Sequence, residues 1–167
     1  INENCNNAYF KKLKEDLSKD KNSIIIFGGR YPLHISNYKF DNQEGGIEGK
    51  EWHSKYVMVG RYENIQTSFQ NEISELSKNN KIIFIYPIPE VGWHVPNKLN
   101  NKLNDIFKKK KNLNKKNINI NEYITTAYKV YKNRTKSSFE LLDSIIGDNI
   151  YRVYPHSLFC DTIIKDR

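Results

Sequence analysis

The stretch "SIIIFGGRYPLHI", residues 23–35, carries the clearest indication of the fold class. Three isoleucines followed by Phe27 are typical of a strand that is buried on both faces, as the strands of parallel sheets are. Two glycines come next, and glycine lets a backbone turn tightly or approach a ligand closely. The stretch therefore predicts a strand over residues 23–27 that presents Arg30 and Tyr31 to something held at its end.

Two further apolar runs predict strands of the same kind. Residues 81–86 precede Pro87 and Pro89, and residues 150–154 precede Pro155; proline stops a strand. The intervals contain apolar residues at helical spacing, and we predict helices over residues 6–18, about 63–77, around 99–107, and 123–146. Strand, helix, strand order favours parallel pairing, so we predict a three-layer α/β/α sandwich around a mostly parallel sheet.

Length and composition indicate one globular domain over residues 1–167. The chain has a mass of 19.7 kDa, with 38% hydrophobic and 28% charged residues, which excludes a disordered protein. No run approaches the ~20 apolar residues of a membrane span. The chain opens at Ile1 without a signal peptide pattern or an initiator methionine, so we expect a fragment of a longer protein.

The charge balance invites a nucleic-acid interpretation. The net charge is +8, with a pI near 9.3, and much of the excess lies in "KKKKNLNKK", residues 108–116. A solvated helix end, together with a general bias towards Lys, Asn and Ile, explains that run equally well. We expect no nucleic-acid partner, and keep as the alternative a basic α/β module that binds nucleic acid or an anionic glycan without catalysis.

Three irregular stretches follow the predicted strands, and parallel sheets gather ligands at the carboxyl ends of their strands. They are "GGRYP", "PIPEVGWHVP" and "PHSLFCD". In the first, Gly29, Arg30 and Tyr31 are candidates for an oxyanion contact or pocket floor, although an arginine there often pairs with a carboxylate. No periodicity holds from residue 28 to 57, which predicts a long functional or mobile connection.

The second stretch supplies the candidate substrate contacts. Glu90 offers an acid, Trp93 a stacking wall for a sugar or acyl group, and His94 a polar contact. A rigid loop in which Trp93 covers the sheet edge is the plainer interpretation. The remaining histidines are isolated, and we expect them, like Asp161, to have structural roles.

No complete catalytic motif is present. The sequence has no GxSxG, P-loop, HExxH or GxGxxG pattern, no Gly-Asp-Ser, and no Asp-x-x-His, so it predicts neither a cofactor nor a metal site. Cys5 and Cys160 have no CxxC partner; they pair with each other, pair with cysteines elsewhere, or are free.

The ordered strand-"GGRYP", strand-"PIPEVGWHVP" and helix-"YKNR" to strand-"VYPHSLFCD" resembles the SGNH domain that is fused to membrane acyltransferases that O-acetylate bacterial surface polysaccharides. The resemblance implies an SGNH-hydrolase, flavodoxin-like fold and an O-acyltransferase or esterase with a serine nucleophile, a histidine base and an orienting aspartate. Where many SGNH hydrolases have Gly-x-Asn-Asp, this chain has Gly28, Gly29, Arg30 and Tyr31, which implies a different oxyanion contact.

The resemblance also implies the surroundings of the domain. The nucleophile motif is expected before residue 1 and the Asp-x-x-His motif after residue 167, so this incomplete domain should be inactive alone. The implied partners are an acylated polysaccharide or acyl donor, and a membrane acyltransferase portion in the same parent chain. The implied location is the extracytoplasmic side of the membrane, where Cys5 or Cys160 could be bridged. A sugar-transferring enzyme with a related sheet is a further alternative, but it would need a phosphate-binding helix start.

Overall fold

The protein alternates helices with three short strands. The computed structural model describes residues 7–36, 39–48, 65–112 and 124–167. Its elements are α1 (Asn7–Lys19), β1 (Ile24–Gly28), α2 (Tyr31–Ser36), α3 (Ile65–Ser77), β2 (Lys81–Ile85), α4 (Val95–Asn112), α5 (Tyr128–Asp143), β3 (Ile150–Val153) and α6 (His156–Phe159).

The strands form one open parallel sheet in the order β1-β2-β3. Ile24 pairs with Lys81, and Ile82 pairs with Ile150. Parallel neighbours need a crossover rather than a hairpin, and helices lie between each pair of strands along the chain. The α/β class, the parallel pairing and the three predicted strands are confirmed.

The core lies between one face of this sheet and the helices α3 and α5. The side chains of Ile82 and Phe84 on β2 have no exposed surface. Their partners are Ile73, Leu76, Leu142, Ile145 and Ile150. Outside this layer, α1 packs against α3, where Lys14 Nζ lies 2.6 Å from a carboxylate oxygen of Glu72.

The other face of the sheet is open in the described part of the chain. Ile24 and Ile26 of β1 keep 62% and 60% of their surface exposed, and Tyr151 and Val153 of β3 are also exposed. The expectation that β1 is buried on both faces is therefore wrong for the described residues. The cause is that α3 and α5 pack together into the core on a single face of the sheet.

The predicted long connection contains a helix that the sequence analysis missed. α2 begins at Tyr31, directly after Arg30, and Pro32 occupies its first turn, where proline is well tolerated. Residues 37–38 and 49–64 lie outside the described residues. α1 and α3 match the first two predicted helices closely, whereas α5 is shorter than predicted and ends at Asp143.

Candidate functional site

The stretches after β1 and β2 meet at the carboxyl edge of the sheet. They form one side of a shallow groove of about 460 Å³. Its lining residues are Arg30, Phe40, Ile47, Glu48, Glu90, Gly92, Trp93 and His94. Four predicted candidates, Arg30, Glu90, Trp93 and His94, are therefore brought together.

The other two candidates from the first stretch do not line this groove. A Cβ at Gly29 would have no atom within 4 Å, so this residue borders open space. The ring of Tyr31 packs instead against the core, with its centroid 6.4 Å from that of Phe69. Burial raises the pKa of Tyr31 to about 12. We therefore assign Tyr31 to the packing of α2.

Two guanidinium groups and two carboxylates alternate in a chain of ion pairs, three members of which line the groove. Arg30 donates from Nη1 and Nη2 to the two carboxylate oxygens of Glu48, both at 2.7 Å. It also donates from Nε to Oε1 of Glu90 at 3.1 Å, and Nη2 contacts the same oxygen. Arg134 then donates from Nε to the second oxygen of Glu90 at 2.9 Å. We call these four residues the ion-pair chain.

The ion-pair chain decides between the two interpretations of Arg30. Its guanidinium is occupied by two carboxylates, so the structure has the arginine paired rather than free for an oxyanion. The hydrogen bonds from Arg30 lower the pKa of Glu48 to about 2, and the two carboxylates raise the pKa of Arg30. Both partners therefore stay charged across the physiological pH range.

A buried asparagine fastens the loop of residues 39–48 to the loop that follows β2. Asn42 is fully buried; its side-chain oxygen accepts hydrogen bonds from the backbone N–H groups of Glu44 and Gly46, at 2.8 and 2.7 Å. Its amide donates to the carbonyl of Val91 at 2.9 Å. Gly92 has a φ of +76°, and a Cβ there would lie 2.5 Å from the carbonyl oxygen of Gly46. The loops approach too closely for any larger residue.

Trp93 and His94 form the end of the groove nearest α4. Trp93 is half-buried, and Lys98 Nζ lies 4.8 Å from its ring centroid, a cation–π distance. His94 is exposed; its Nδ1 accepts a hydrogen bond from the backbone N–H of Asn97 at 3.4 Å. Lys98 thus lies over the Trp93 ring, and the imidazole of His94 stands at the solvent edge.

Arg134 is the last residue of the quoted "YKNR" and was given no role from the sequence, although its helix carries a signal. Tyr131 and Arg134 are three residues apart on α5 and so share a face, and the Tyr131 hydroxyl donates to the carbonyl of Pro87 at 2.7 Å. Both side chains therefore hold the loop after β2. Only 11% of the Arg134 side chain is exposed, and its Nη2 is buried with no hydrogen-bond partner among the described residues. Glu48 was missed because it lies in a glycine-rich stretch without periodicity.

The third stretch, after β3, brings His156 into an aromatic cluster. The rings of Tyr128, Tyr131, Phe139 and Tyr154 all have centroids within 6.4 Å of its imidazole. Burial lowers the pKa of His156, which favours the neutral ring at physiological pH. The prediction of a structural role agrees with this packing.

An apolar cavity of about 360 Å³ lies between the loop after β2 and the C-terminal segment. Tyr128, Tyr131, Phe159 and Cys160 are among its lining residues, and Glu90 borders both this cavity and the groove. All three predicted stretches therefore meet around Glu90.

Of the two cysteines, the structure describes only Cys160. Cys160 is half-buried, and burial raises the pKa of its thiol. Cys5 lies outside the described residues, so a bridge between them stays a prediction.

The described ranges also bear on metal and membrane chemistry. Within them, no group of three or more His, Cys, Asp or Glu side chains is placed to hold a metal ion. No helix found there has the length and apolar character needed to span a bilayer.

Comparison with known families supports the resemblance drawn from the sequence. A family model described as "SGNH domain (fused to AT3 domains)" matches residues 1–166. No curated protein and no solved structure gives a significant match.

Proposed function

We propose an ester-handling function on the premise that the chain belongs to the family of SGNH domains fused to AT3 domains. That family supports a domain of the hydrolase or acyltransferase type. We propose more specifically that the intact parent protein transfers or hydrolyses acetyl esters of a cell-surface polysaccharide. In this proposal the reaction uses a serine nucleophile.

The observation that supports the proposal is the meeting of three loops around Glu90. Glu90 lines the groove beside Arg30 and Trp93, and it lines the apolar cavity beside Tyr131 and Cys160. Ligands of open parallel sheets bind outside the carboxyl ends of the strands. The position therefore suits a substrate with one polar and one apolar part, which describes an acylated sugar.

The described residues would position the substrate rather than react with it. In the proposal, serine Oγ attacks the acyl carbonyl, histidine takes the serine proton, and the sugar oxygen leaves as the alcohol after receiving that proton. The described hydrogen bonds join none of the histidines at 34, 94 and 156 to a serine. Because the sequence has no Gly-Asp-Ser and no Asp-x-x-His, we propose from the family resemblance that the nucleophile and the Asp-x-x-His pair lie outside residues 1–167.

The ion-pair chain would keep the groove rigid and nearly neutral in charge. Arg30 and Arg134 balance Glu48 and Glu90, so these four side chains would present no net charge to a neutral sugar ester. Trp93 offers an aromatic face of the kind on which sugar rings stack. We propose Trp93 as the sugar contact and His94 as its polar neighbour.

The proposal includes the setting of the parent protein. The family description supports an acyltransferase portion of the AT3 kind in the same chain. We propose that this portion lies in the membrane, that the domain lies on the extracytoplasmic side, and that acylated polysaccharide or its acyl donor reaches the groove there.

The test compares two substrates of different size in the intact parent protein. Trp93→Ala should lower kcat/KM for the acetylated polysaccharide at least tenfold, because stacking on the sugar ring is lost. The same change should leave hydrolysis of p-nitrophenyl acetate within about twofold. Tyr151→Ala removes an exposed ring on the open face of the sheet and is the matched control.

Two results would count against the proposal. One is an intact parent without ester turnover on either substrate. The other is a Trp93→Ala variant that behaves like Tyr151→Ala on both. The 167-residue chain itself should be inactive, and turnover that disappears on changing one residue within it would contradict the placement of the nucleophile.

A further inference from the structure

Helix α4 presents apolar side chains to solvent along one side. Four of them follow one another at every fourth position: Val95, Leu99, Leu103 and Phe107. Between 39% and 58% of the surface of each is exposed. We call these four residues the α4 stripe. At a spacing of four residues they share one face of the helix.

α4 is more exposed than α3, which buries Ile73 and Leu76, and than α5; α1 also buries none of its described side chains, but it packs against α3. None of the side chains described between residues 95 and 108 is buried, whereas α5 buries five residues. Most helices in proteins are stabilised by packing an apolar face, so we expect another surface to cover this 18-residue helix, whose described side chains are not buried.

The charge on α4 indicates which surface this is. Lys98 and Lys102 border the α4 stripe, and four consecutive lysines, Lys108–Lys111, occupy the last turns, against one acid, Asp105. Lysines beside an apolar stripe can bury their aliphatic stems and keep their ammonium groups at a polar boundary. That combination is typical of helices that lie in the plane of a membrane interface.

We propose that the α4 stripe binds the surface of an anionic lipid bilayer, with the helix axis parallel to the membrane. The apolar side chains would enter the boundary between headgroups and acyl chains, while Lys98, Lys102 and Lys108 would contact anionic headgroups. The inference rests on the proposed function in one respect, because the membrane-embedded AT3 portion of that proposal brings a bilayer within reach of this chain.

Such binding would fix the height of the groove above the membrane. α4 begins at Val95, the residue after His94, and Lys98 contacts Trp93. A helix held at the interface would therefore hold the sugar-contacting end of the groove within one helical turn of the headgroups. An acyl group delivered at the membrane surface would have a short path to the groove.

The experiment measures binding of the 167-residue chain to vesicles by sedimentation. Vesicles of equal parts phosphatidylglycerol and phosphatidylcholine should bind the protein, and pure phosphatidylcholine should bind it at least tenfold more weakly. Leu99→Ser with Leu103→Ser should reduce binding to the anionic vesicles at least tenfold, because the apolar contribution is lost. Lys98→Gln with Lys102→Gln should reduce it severalfold and weaken its dependence on salt.

The control makes the same kind of change elsewhere on the surface. Ile146→Ser with Ile163→Ser removes two apolar side chains that are more exposed than those of α4, and it should bind like the unchanged protein. Circular dichroism and the urea midpoint establish that each variant is folded. Since the assay involves no ester chemistry, failure here leaves the Trp93 test of the proposed function unaffected.

Four results would overturn the inference. Absence of vesicle binding is the first, and equal binding to neutral and anionic vesicles is the second. The third is lysine-dependent but leucine-independent binding, which would indicate a basic module for nucleic acid or anionic glycan. The fourth is concentration-dependent self-association in ultracentrifugation that the leucine variant abolishes, since the stripe would then bind a second copy.

Discussion

The two edges of the same sheet are both polar, but they are built from different chemistry. At the amino edge, neutral asparagines make the contacts. Asn80 accepts a hydrogen bond from Ser23 N–H at 3.0 Å and donates to the carbonyls of Asp20 and Leu76, both at 3.1 Å. Asn149 donates to the carbonyl of Ser77 at 3.0 Å. Each amide closes a turn next to a strand.

At the carboxyl edge, charged side chains make the contacts between loops, and one of them has a nitrogen without a hydrogen-bond partner in the described residues. Arg134 keeps a buried Nη2 without a partner in the described residues, at a cost in desolvation. Loops there also meet at Gly92 in a backbone conformation that other residues rarely adopt. The amino edge therefore stabilises the fold, while the carboxyl edge gives up some stability to hold charges in place, as functional sites do.

The largest effect on stability is expected from Asn80→Ala at the amino edge. It removes three hydrogen bonds and leaves the Ser23 N–H group without its acceptor, so the free energy of unfolding should fall by about 2–3 kcal/mol. Asn79→Ala, an exposed neighbour, should change it by less than about 0.5 kcal/mol. Urea unfolding measures both, and ester turnover by the intact parent should stay unchanged below the unfolding transition.

A slightly smaller effect is expected from Gly92→Ala at the other edge. The methyl group would approach the carbonyl of Gly46 and the residue would have to keep a positive φ, so unfolding should become easier by about 1–3 kcal/mol. Gly29→Ala is the matched control, because its Cβ would meet nothing, and it should be nearly neutral. Equal effects for the two glycines, measured by urea unfolding, would contradict the close approach of the two loops.

Arg134→Met should affect function more than stability. The ion pair with Glu90 is lost, but an unsatisfied Nη2 is removed with it, so the free energy of unfolding should fall by only about 1–2 kcal/mol. Lys136→Met, on the same helix and exposed, should have no measurable effect. In the intact parent, Arg134→Met should lower kcat/KM for the polysaccharide at least tenfold because Glu90 loses one of the two guanidinium groups that hold it. Full turnover by Arg134→Met would contradict the functional role of the carboxyl edge, because both edges would then affect stability alone.

The smallest expected effect is a pH dependence from Glu48. Its pKa is about 2 in the folded chain, below the ordinary value near 4.3, so its stabilisation is present above about pH 4.3 and is lost as the pH falls towards 2. The side chain is about one-third exposed, so solvent screening should keep this contribution below about 1 kcal/mol. Glu48→Gln should flatten the acid limb of stability measured by urea unfolding between pH 5 and 2.5.

The control for that measurement is Glu75→Gln, which changes an exposed carboxylate of α3 that pairs with Lys78. Its acid limb should match that of the unchanged protein. If the acid limb of Glu48→Gln also matched that of the unchanged protein, the ion pair of Glu48 would contribute nothing to the free energy of unfolding.

The sheet could be predicted because its signal is local. Runs of isoleucine and phenylalanine bounded by proline or glycine define each strand, and the glycines after Phe27 mark the edge at which the loops gather. Arg30, Glu90, Trp93 and His94 were accessible by the same logic, since each lies just beyond a strand. Such signals depend only on neighbours along the chain.

The ion-pair chain could not be predicted in full, because it depends on residues that are distant in sequence. Nothing near Glu48 indicates that it faces Arg30, and nothing near Arg134 indicates Glu90 as its partner. Tyr31 was misplaced for a related reason: α2 turns its ring towards Phe69, and the short helix has too few residues to show a period. The open face of the sheet likewise reflects where helices pack, which strand composition does not reveal.

The parallel register also governs the order in which this chain can fold. Ile24 pairs with Lys81, and Ile82 pairs with Ile150, so neither pair of strands can form as a local hairpin. Contacts between such distant positions require large loops to close. The entropy of loop closure is lost before the contacts stabilise the chain, and this slows folding. During synthesis the last strand emerges close to the end of these residues, and until then β2 exposes one unpaired edge to other nascent chains.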